Sequence, residues 1–523
     1  MNSTGSSVLL QKTTLLGVII LVICYVIGVL SQPTLSPEIG QAYLTLSAAT
    51  SFKEVLHQFI KFDDIWYRPF PFYLTNFFIY KMITMRDIQF IKVFSFGFVF
   101  FNAYIVTVLA KKIFASSLVE RAILFSLVIS HPLYYAIICD GTGLIDPVFN
   151  IFVNLFLISY LTLLENSNNK ISATDLSKLT RSQVITSVFL CCLFMVCAVT
   201  SHERALAVFP MLGILFLYYS WQKPRLKLEM NTTIVLMFGI LIFSLYMIFV
   251  IGAAKIGWTG PVYRTSWEPI YVIPNMLRAI EFPFRLMTVI TGHAYDVHKE
   301  FWFNIFALPF ILLFLAYLFM VFFRDMQQEK RRLTILLMLF LCSSAMPVLF
   351  GGNSWHFYTA ALYISIMMAR ACGYWVSVFV ANRYIQSICV IALFAWLTTS
   401  TVYGINQELS VGGKTSFMLL IHSALEDKTL HDVPYTPQVV YYEVGDYEFK
   451  PVTWAFGGNG NLFKYLYNNP HIIEIALIHG KIYPENQYLC ASTYLKRSLA
   501  FRFDPHDLSW HKIANKNYCA TNS

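Results

Sequence analysis

The sequence contains few charged residues: Asp, Glu, Lys and Arg make up 13% of its 523 residues, whereas 57% are hydrophobic. Soluble globular proteins carry about 25% charged residues. A soluble protein of this length would also need far more polar surface to remain in solution. The composition therefore excludes a soluble enzyme and predicts an all-α polytopic membrane protein, long enough for about 11–13 transmembrane helices of about 20 residues each.

The sequence also lacks the short motifs of several enzyme classes. It has no C-x-x-C pair, no D-x-D spacing, no Walker A string, no dinucleotide-binding glycine fingerprint and no G-x-S-x-G elbow. No metal ligand set is therefore predicted. The net charge of +9 does not indicate nucleic acid as a partner, because the basic residues lie in short loops between apolar runs.

Eleven long apolar runs are predicted to be spanning helices. The first is interpreted as an uncleaved span and not as a signal peptide, because Lys12 alone is basic before it and the run is long for a signal sequence. A shorter run, residues 70–85, fits either a short span or a half-buried helix. The eleven runs are Thr13–Leu30, Ile88–Ala110, Val119–Ile138, Pro147–Leu164, Val184–Thr200, Ala205–Trp221, Thr232–Ala254, Phe301–Phe323, Leu333–Phe350, Phe357–Tyr374 and Ile385–Tyr403.

The basic loops set the expected orientation of the chain. Lysine and arginine concentrate in Lys111–Lys112, Lys170–Arg181, Lys223–Lys227 and Arg324–Arg332, which the positive-inside rule places in the cytosol. The loops between them, and the tail, are then periplasmic or lumenal. The Lys-, Asn- and Ile-rich composition favours a bacterial inner membrane over the endoplasmic reticulum.

Two regions are predicted: a transmembrane domain, residues 1–403, and a periplasmic or lumenal domain, residues 404–523. The first outside loop, residues 31–69, contains an amphipathic segment at 52–60, which fits a helix on the membrane surface or one packed on the bundle. The tail has the strand-like runs PQVVYYEV and HIIEIALI and is predicted to be a small α/β domain. Cys490 and Cys519 form a disulfide if the tail lies in an oxidising compartment.

Charged residues at the ends of the apolar runs collect on the outside face, whereas the cytosolic face carries plain basic loops. Charged groups next to the hydrocarbon are costly, and they are functional candidates by default. Arg264, Trp355 and His356 are candidates for a sugar pocket, although an interfacial aromatic belt also explains the tryptophan. The other candidates are Glu38, Asp63, Asp64, Tyr67, Arg68, Asp140, Asp146, His202, Glu203 and Arg204.

Four strings occur in the order found in one enzyme superfamily. They are FDDIWYRPF at 62–70, SHPLYYAIICDGTGLID at 130–146, SHERALAVFP at 201–210 and GGNSWHFYTAALY at 351–363. Together they resemble the membrane halves of GT-C glycosyltransferases, above all the tetratricopeptide-linked O-mannosyltransferases. No tetratricopeptide array follows, and the layout is also similar to that of bacterial glycosyltransferases that decorate O-antigen.

The resemblance implies a polyprenyl- or dolichyl-phosphate sugar as donor and a hydroxyl of a glycan, such as O-antigen, or of a protein as acceptor. An acid in the first outside loop takes the proton of the acceptor, and the sugar is transferred with inversion. In this sequence the acid is Glu38, with the pair Asp63 and Asp64 as the alternative base. No cofactor is certain, although the superfamily leaves room for a divalent cation.

The remaining candidates bind substrate or phosphate in this scheme, and several have structural alternatives. Arg68, with Tyr67, binds phosphate or anchors the loop at the interface. Asp146, before a proline, also fits a helix N-cap. Asp140 binds acceptor or sugar, and residues 202–204 join that site or form a local ion pair.

Two other functions remain open at this point. A transporter or flippase of lipid-linked sugars is expected to show inverted repeats with charges at mid-membrane. An O-antigen polymerase or ligase is expected to carry its key Arg and His residues in a late loop. The observed charges lie instead at one membrane face, beginning in the first loop.

Overall fold

The structure is a computed structural model, and its side chains and contacts are described for part of the chain. The described residues are 3–30, 53, 88–114, 116–131, 145–169, 181–201, 204, 207–222, 230–255, 311–324, 326–349, 357–378, 383–410, 424, 427–443, 462–467, 469, 471–482, 487, 489–490, 497–504, 507, 509–514 and 518–519. The amphipathic segment at 52–60, the first outside loop and the run at 70–85 lie almost entirely outside them.

Each of the eleven apolar runs is helical over all or part of its length, as predicted. The helices are α1 Ser3–Leu30, α2 Ile88–Phe114, α3 Leu118–Ile129, α4 Ile145–Asn169, α5 Arg181–Ser201, α6 Val208–Gln222, α7 Met230–Lys255, α8 Ile311–Phe323, α9 Gln327–Leu349, α10 Tyr358–Val378 and α11 Arg383–Ser410.

Among the described residues, five helices have the length and apolarity to cross a membrane. They lie in α1, α2, α4, α5 and α11, and three shorter apolar helices lie in α6, α7 and α8. Their outer surfaces carry large apolar side chains such as Leu15, Ile19 and Ile23 of α1, each at least 45% exposed. Such surfaces are unfavourable in water and match the acyl chains of a bilayer. The chain is an integral membrane protein.

The helices differ in how deeply they sit in the bundle. Of the most apolar stretch of each helix, 22% is buried in α1 and 72% in α4. Helix α1 is therefore peripheral in the bundle and α4 is central. Helix α1 packs along α11. A Cβ at Gly17 would lie 2.6 Å from a ring carbon of Phe394, so glycine is required for this close approach.

The tail contains a five-stranded mixed sheet. Its strands are β1 Val439–Glu443, β2 Ile473–Ile478, β3 Lys481–Ile482, β4 Ser498–Asp504 and β5 Ser509–Lys512, in the order β3-β2-β1-β4-β5. Strand β1 is parallel to both β2 and β4, and the two edge strands are antiparallel to their neighbours. Both predicted strands are present, at β1 and β2. Residues His479 and Gly480 have φ values of 48° and 75°, which suits the tight β2–β3 turn.

Both faces of the sheet are covered, as expected for parallel strands. On one face, Phe463 of the short helix α12 (Leu462–Leu466) packs against Phe501 and Trp510, with ring centroids 5.9 and 5.8 Å apart. On the other face lies the predicted disulfide between Cys490 and Cys519, whose Cα atoms are 5.4 Å apart. The small α/β fold of the tail and the cysteine pairing are confirmed, and the division at residue 403 stays a prediction.

Candidate functional site

The structure describes the side chain of one of the thirteen predicted site residues, Arg204, and the backbone of a second, Asp146. Helix α4 begins at Ile145, so Asp146 lies in its first turn, where an acid is favourable to the helix dipole. The other eleven lie outside the described residues: Glu38, Asp63, Asp64, Tyr67, Arg68, Asp140, His202, Glu203, Arg264, Trp355 and His356.

Arg204 lies between the end of α5 and the start of α6. Its side chain is buried, with 7% of the residue exposed. The guanidinium carbon is 5.7 Å from the centroid of the Phe149 ring, a cation–π contact that joins this link to the first turns of α4. Burying an arginine at a membrane boundary is costly and is maintained where the charge has a use.

A second contact joins the same turn of α4 to the start of α10. The hydroxyl of Thr359 donates a hydrogen bond of 2.6 Å to Oδ1 of Asn150, and both residues are buried. Asn150 is one helical turn after Asp146, and Thr359 is three residues after His356. The contact therefore joins the segment that follows the second sequence motif to a residue of the fourth motif, GGNSWHFYTAALY.

A third contact joins α10 to α2. The side-chain amide of Asn102 donates to the hydroxyl of Tyr358 over 3.5 Å, and both residues are fully buried. Three contacts, each between two residues, thus connect four parts of the chain at the end of the bundle opposite the basic loops. We call the following residues the outer polar cluster: Asn102, Phe149, Asn150, Arg204, Tyr358 and Thr359.

The polar face of α4 continues one turn deeper, at Asn154. This residue is fully buried, and neither atom of its carboxamide has a hydrogen-bond partner in the structure, among the residues described. A buried amide without a partner costs free energy relative to an apolar side chain. The cluster therefore lies above a further neutral polar group inside the bundle.

Sequence reasoning found Arg204 and missed the other five members of the outer polar cluster. The available signal was an asparagine inside an apolar run, at Asn102, Asn150 and Asn154, because a polar group at membrane depth needs a partner on another helix. Their partners could not be inferred, since the bonded residues are separated by 209 and 256 positions in the chain.

One group of described residues has the composition of a metal site. The side chains of Asp504, Asp507 and His511, on the β4–β5 hairpin, offer ligand atoms within 4.8 Å of one another. Hydrogen bonds from Ser509 lower the pKa of the exposed Asp507, and the nearby His511 adds to the effect. These bonds within the hairpin account for the arrangement, so the group adds no argument for a metal.

Comparison with known proteins gives a likeness in structure alone. No protein-family model matches the sequence, and no curated protein sequence matches it. The crystal structure of ArnT from Cupriavidus metallidurans bound to undecaprenyl phosphate is similar with a TM-score of 0.51 and 11% identity, covering 97% of this chain and 94% of that chain. The archaeal oligosaccharyltransferase AglB from Archaeoglobus fulgidus, in complex with an inhibitory peptide and a dolichol-phosphate, has a TM-score of 0.46 and 11% identity, covering 93% and 69%.

The likeness to ArnT confirms the GT-C fold expected from the four sequence motifs. It extends over nearly the whole of both chains, so it includes the tail as well as the helix bundle. At 11% identity it is a statement about the fold.

Proposed function

We propose that this protein is a membrane glycosyltransferase that transfers a sugar from a polyprenyl-phosphate donor to a hydroxyl outside the cytosol, with a glycan such as O-antigen as acceptor. The observation that carries the proposal is the outer polar cluster. In a bundle with the GT-C fold, it connects the start of α4, which follows the second sequence motif, to residues of the third and fourth motifs, and it includes the buried cation Arg204 in contact with the Phe149 ring.

Arg204 is suited to the phosphate of the donor. The polyprenyl tail remains in the bilayer, so its phosphate lies at the membrane boundary, where a low dielectric strengthens its attraction to a cation. A guanidinium binds phosphate through two parallel N–H donors. The contact with Phe149 helps to hold the guanidinium in place before substrate binds. Negative charge on the leaving phosphate grows during transfer, so a fixed cation stabilises the transition state more than the ground state.

The reaction we propose is a single displacement at the anomeric carbon. A carboxylate, Glu38 or alternatively Asp63 or Asp64, accepts the proton of the acceptor hydroxyl. The hydroxyl oxygen then bonds to the anomeric carbon while the bond from that carbon to the phosphate oxygen breaks, with inversion. The polyprenyl phosphate leaves with the bonding pair. Desolvation near the membrane raises the pKa of such a carboxylate toward a useful range.

The other predicted residues complete the substrate site in this proposal. Tyr67 and Arg68 bind the donor phosphate from the first outside loop. The acids on the α4 side and the residues beside Arg204 bind sugar or acceptor, and the aromatic residues before α10 stack on the sugar ring. These residues are Asp140, Asp146, His202, Glu203, Arg264, Trp355 and His356.

The disulfide supports an active face outside the cytosol. Disulfides persist in the periplasm and in secretory lumens, and they are rare where glutathione and thioredoxin keep thiols reduced. Cys490 and Cys519 pair in the tail, whereas Cys24, Cys191 and Cys342 in the helices are free. We place the protein in a bacterial inner membrane, with the tail in the periplasm and the outer polar cluster at the periplasmic end of the bundle.

The direct test is sugar transfer by the purified protein in detergent, with radiolabelled polyprenyl-phosphate sugars and a panel of glycan and protein acceptors. Arg204→Gln is expected to lower turnover by about 100-fold or more, as expected for loss of a transition-state charge partner. Arg324→Gln, an exposed arginine on the basic face, is the matched control and should retain full activity. Glu38→Gln and Asp63→Asn/Asp64→Asn assign the base.

The outcome also separates the competing functions. Release of labelled sugar that depends on both donor and acceptor supports the transferase. Retention of the sugar on every donor, with the protein folded and lipid bound, would contradict the proposal and favour a flippase. Equal activity of Arg204→Gln and the control would remove Arg204 from the site.

A further inference from the structure

A second charged group lies at the end of the bundle close to the loops rich in lysine and arginine, where the side chains of Arg370, Glu329 and Glu120 are 23%, 12% and 9% exposed. Arg370 of α10 forms a fork with Glu329 of α9, with Nη2 2.7 Å from Oε1 and Nε 3.2 Å from Oε2. Its Nη1 donates to Oε1 of Glu120 in α3. The guanidinium carbon also lies 5.7 Å from the ring centroid of Phe114, at the end of α2. One side chain thus contacts three other helices.

The two carboxylates are held in place from the other side as well. The hydroxyl of Tyr317 in α8 donates to Glu329 over 3.3 Å. Oε2 of Glu120 accepts a hydrogen bond of 2.7 Å from the backbone of Ser117, completing a capping box at the start of α3. Paired geometry of this kind is what makes a buried ion pair tolerable, because each charge loses its hydration. We call Arg370, Glu120 and Glu329 the inner ion cluster.

Gly373 allows the cluster to form. A Cβ at this position would lie 2.7 Å from Oε1 and 2.9 Å from Cδ of Glu120. These are distances that real Cβ atoms do not show, so a side chain here would displace the carboxylate from Arg370. Gly213 and Gly97, also within helices, have no atom within 4 Å of an added Cβ, and they provide matched controls.

Helix α10 needs polar contacts of this kind to fix its position, because apolar packing surrounds it. Every residue from Phe357 to Ala369 is buried. Apolar packing is not directional, and buried polar contacts are the usual means of fixing one register among several. In this helix, the described side-chain bonds to other helices lie mainly at the two ends, at Tyr358 and Thr359 and at Arg370 and Trp375. Between them, the hydroxyl of Tyr363 makes a long contact of 4.0 Å with Sδ of Met211 in α6.

The two ends are linked through α2 as well. Tyr358 and Arg370 are twelve residues apart, and so are their partners Asn102 and Phe114 in α2. The two contacts are therefore spaced by the same distance, about 18 Å, along both helices. A shift of Arg370 along the axis moves the outer end of the same rigid helix by the same amount.

We propose that Arg370 is a positioning residue: the inner ion cluster fixes the axial position of α10, and thereby the position of Tyr358 and Thr359 along the helix axis at the outer polar cluster. The effect on catalysis rests on the proposed function, whereas the structural effect does not. It is therefore tested first by a measurement that needs no substrate.

That measurement is amide hydrogen exchange of the full-length protein in lipid nanodiscs. Glu120→Gln removes one ion pair without changing side-chain shape, and Gly373→Ala displaces the same carboxylate. Both are expected to speed exchange at the outer end of α10, residues 358–364, by about tenfold or more, while α11, residues 390–400, changes by less than about threefold. Gly213→Ala should leave both segments unchanged.

Two results would overturn the proposal. Faster exchange confined to residues 366–378 would show that the cluster acts locally, and an equal rise in all helices would show general destabilisation. With a donor in hand, Gly373→Ala is expected to lower kcat by about tenfold while the donor KM stays within about threefold, because misplaced groups slow the chemical step. A protein that transfers no sugar but shows the exchange pattern keeps this inference and loses the proposed function.

Discussion

The disulfide in the tail is expected to make a large contribution to the stability of the sheet. Cys490 and Cys519 are separated by 29 positions, and the loop between them contains β4 and β5. Closing a loop of this length restricts the unfolded chain, and the chain-entropy relation gives about 3.6 kcal/mol at 25 °C. The hydroxyl of Tyr441 in β1 also contacts Sγ of Cys519 at 3.5 Å, so the bridge ties the last residues to the central strand.

The assay is hydrogen exchange of β4 and β5 in the full-length protein, comparing wild type with Cys490→Ser/Cys519→Ser. At 1.4 kcal/mol per factor of ten, a loss of about 3.6 kcal/mol corresponds to exchange that is roughly 300-fold faster. Reduction of the wild type should give the same change. Cys389→Ser, which removes an exposed free cysteine of α11, is the control.

The reasoning would be refuted if both the double variant and the reduced wild type exchanged within about threefold of the oxidised protein. That result would mean that the two aromatic faces of the sheet hold it without the bridge. A related measurement bears on the compartment. In intact membranes without reductant, neither Cys490 nor Cys519 should react with a maleimide, because an oxidising compartment keeps them paired.

Three further predictions concern the free energy of unfolding. Asn154→Leu is expected to raise the free energy of unfolding by about 1–3 kcal/mol, measured by thermal denaturation, because it removes a buried amide that has no partner among the described residues; a lower melting temperature would contradict this. Thr359→Val removes the hydrogen bond that Oδ1 of Asn150 accepts and should cost about 1–3 kcal/mol, most of which Thr359→Val/Asn150→Leu recovers. Burial raises the pKa of Tyr442 and of Tyr467, and the charge of a nearby glutamate adds to it. The unfolded chain ionises both near pH 10 while the folded tail keeps their protons, so tail stability should fall by about 1.4 kcal/mol per pH unit for each tyrosine above that pH, and Tyr442→Phe should make the slope shallower by the contribution of one tyrosine.

The helices and the sheet could be predicted because their signals are local. An apolar run of about 20 residues has few alternatives to a membrane helix. In the same way, alternating and β-branched runs between turn residues predicted β1 and β2. The disulfide could be predicted because Cys490 and Cys519 are the two cysteines that lie neither in nor beside an apolar run.

The contacts between helices could not be predicted, because their partners lie far apart in the chain. Arg370 lies inside an apolar run that predicts a spanning helix, and its partner Glu120 is 250 positions away. Glu329 lies in the basic segment Arg324–Arg332, whose lysines and arginines predict the orientation of the chain. In each case the informative signal is a single charged residue at the edge of the hydrocarbon. Such a residue is expected to have a partner, even where the loop around it fits a solvent-exposed segment.

The distribution of charge within the bundle gives a final reason to look for phosphate chemistry at the outer end. Three carboxylates of the bundle have described side chains, and all three are paired near the basic loops: Glu120 and Glu329 with Arg370, and Glu165 with Lys112 at 2.7 Å. The described part of the outer end includes a buried cation, Arg204, whose guanidinium contacts the Phe149 ring. An anionic lipid phosphate is attracted by this cation, and the three acids are neutralised by their own partners near the basic loops. In the proposed mechanism, the proton acceptor comes from the first outside loop and the phosphate-binding cation from the link between α5 and α6.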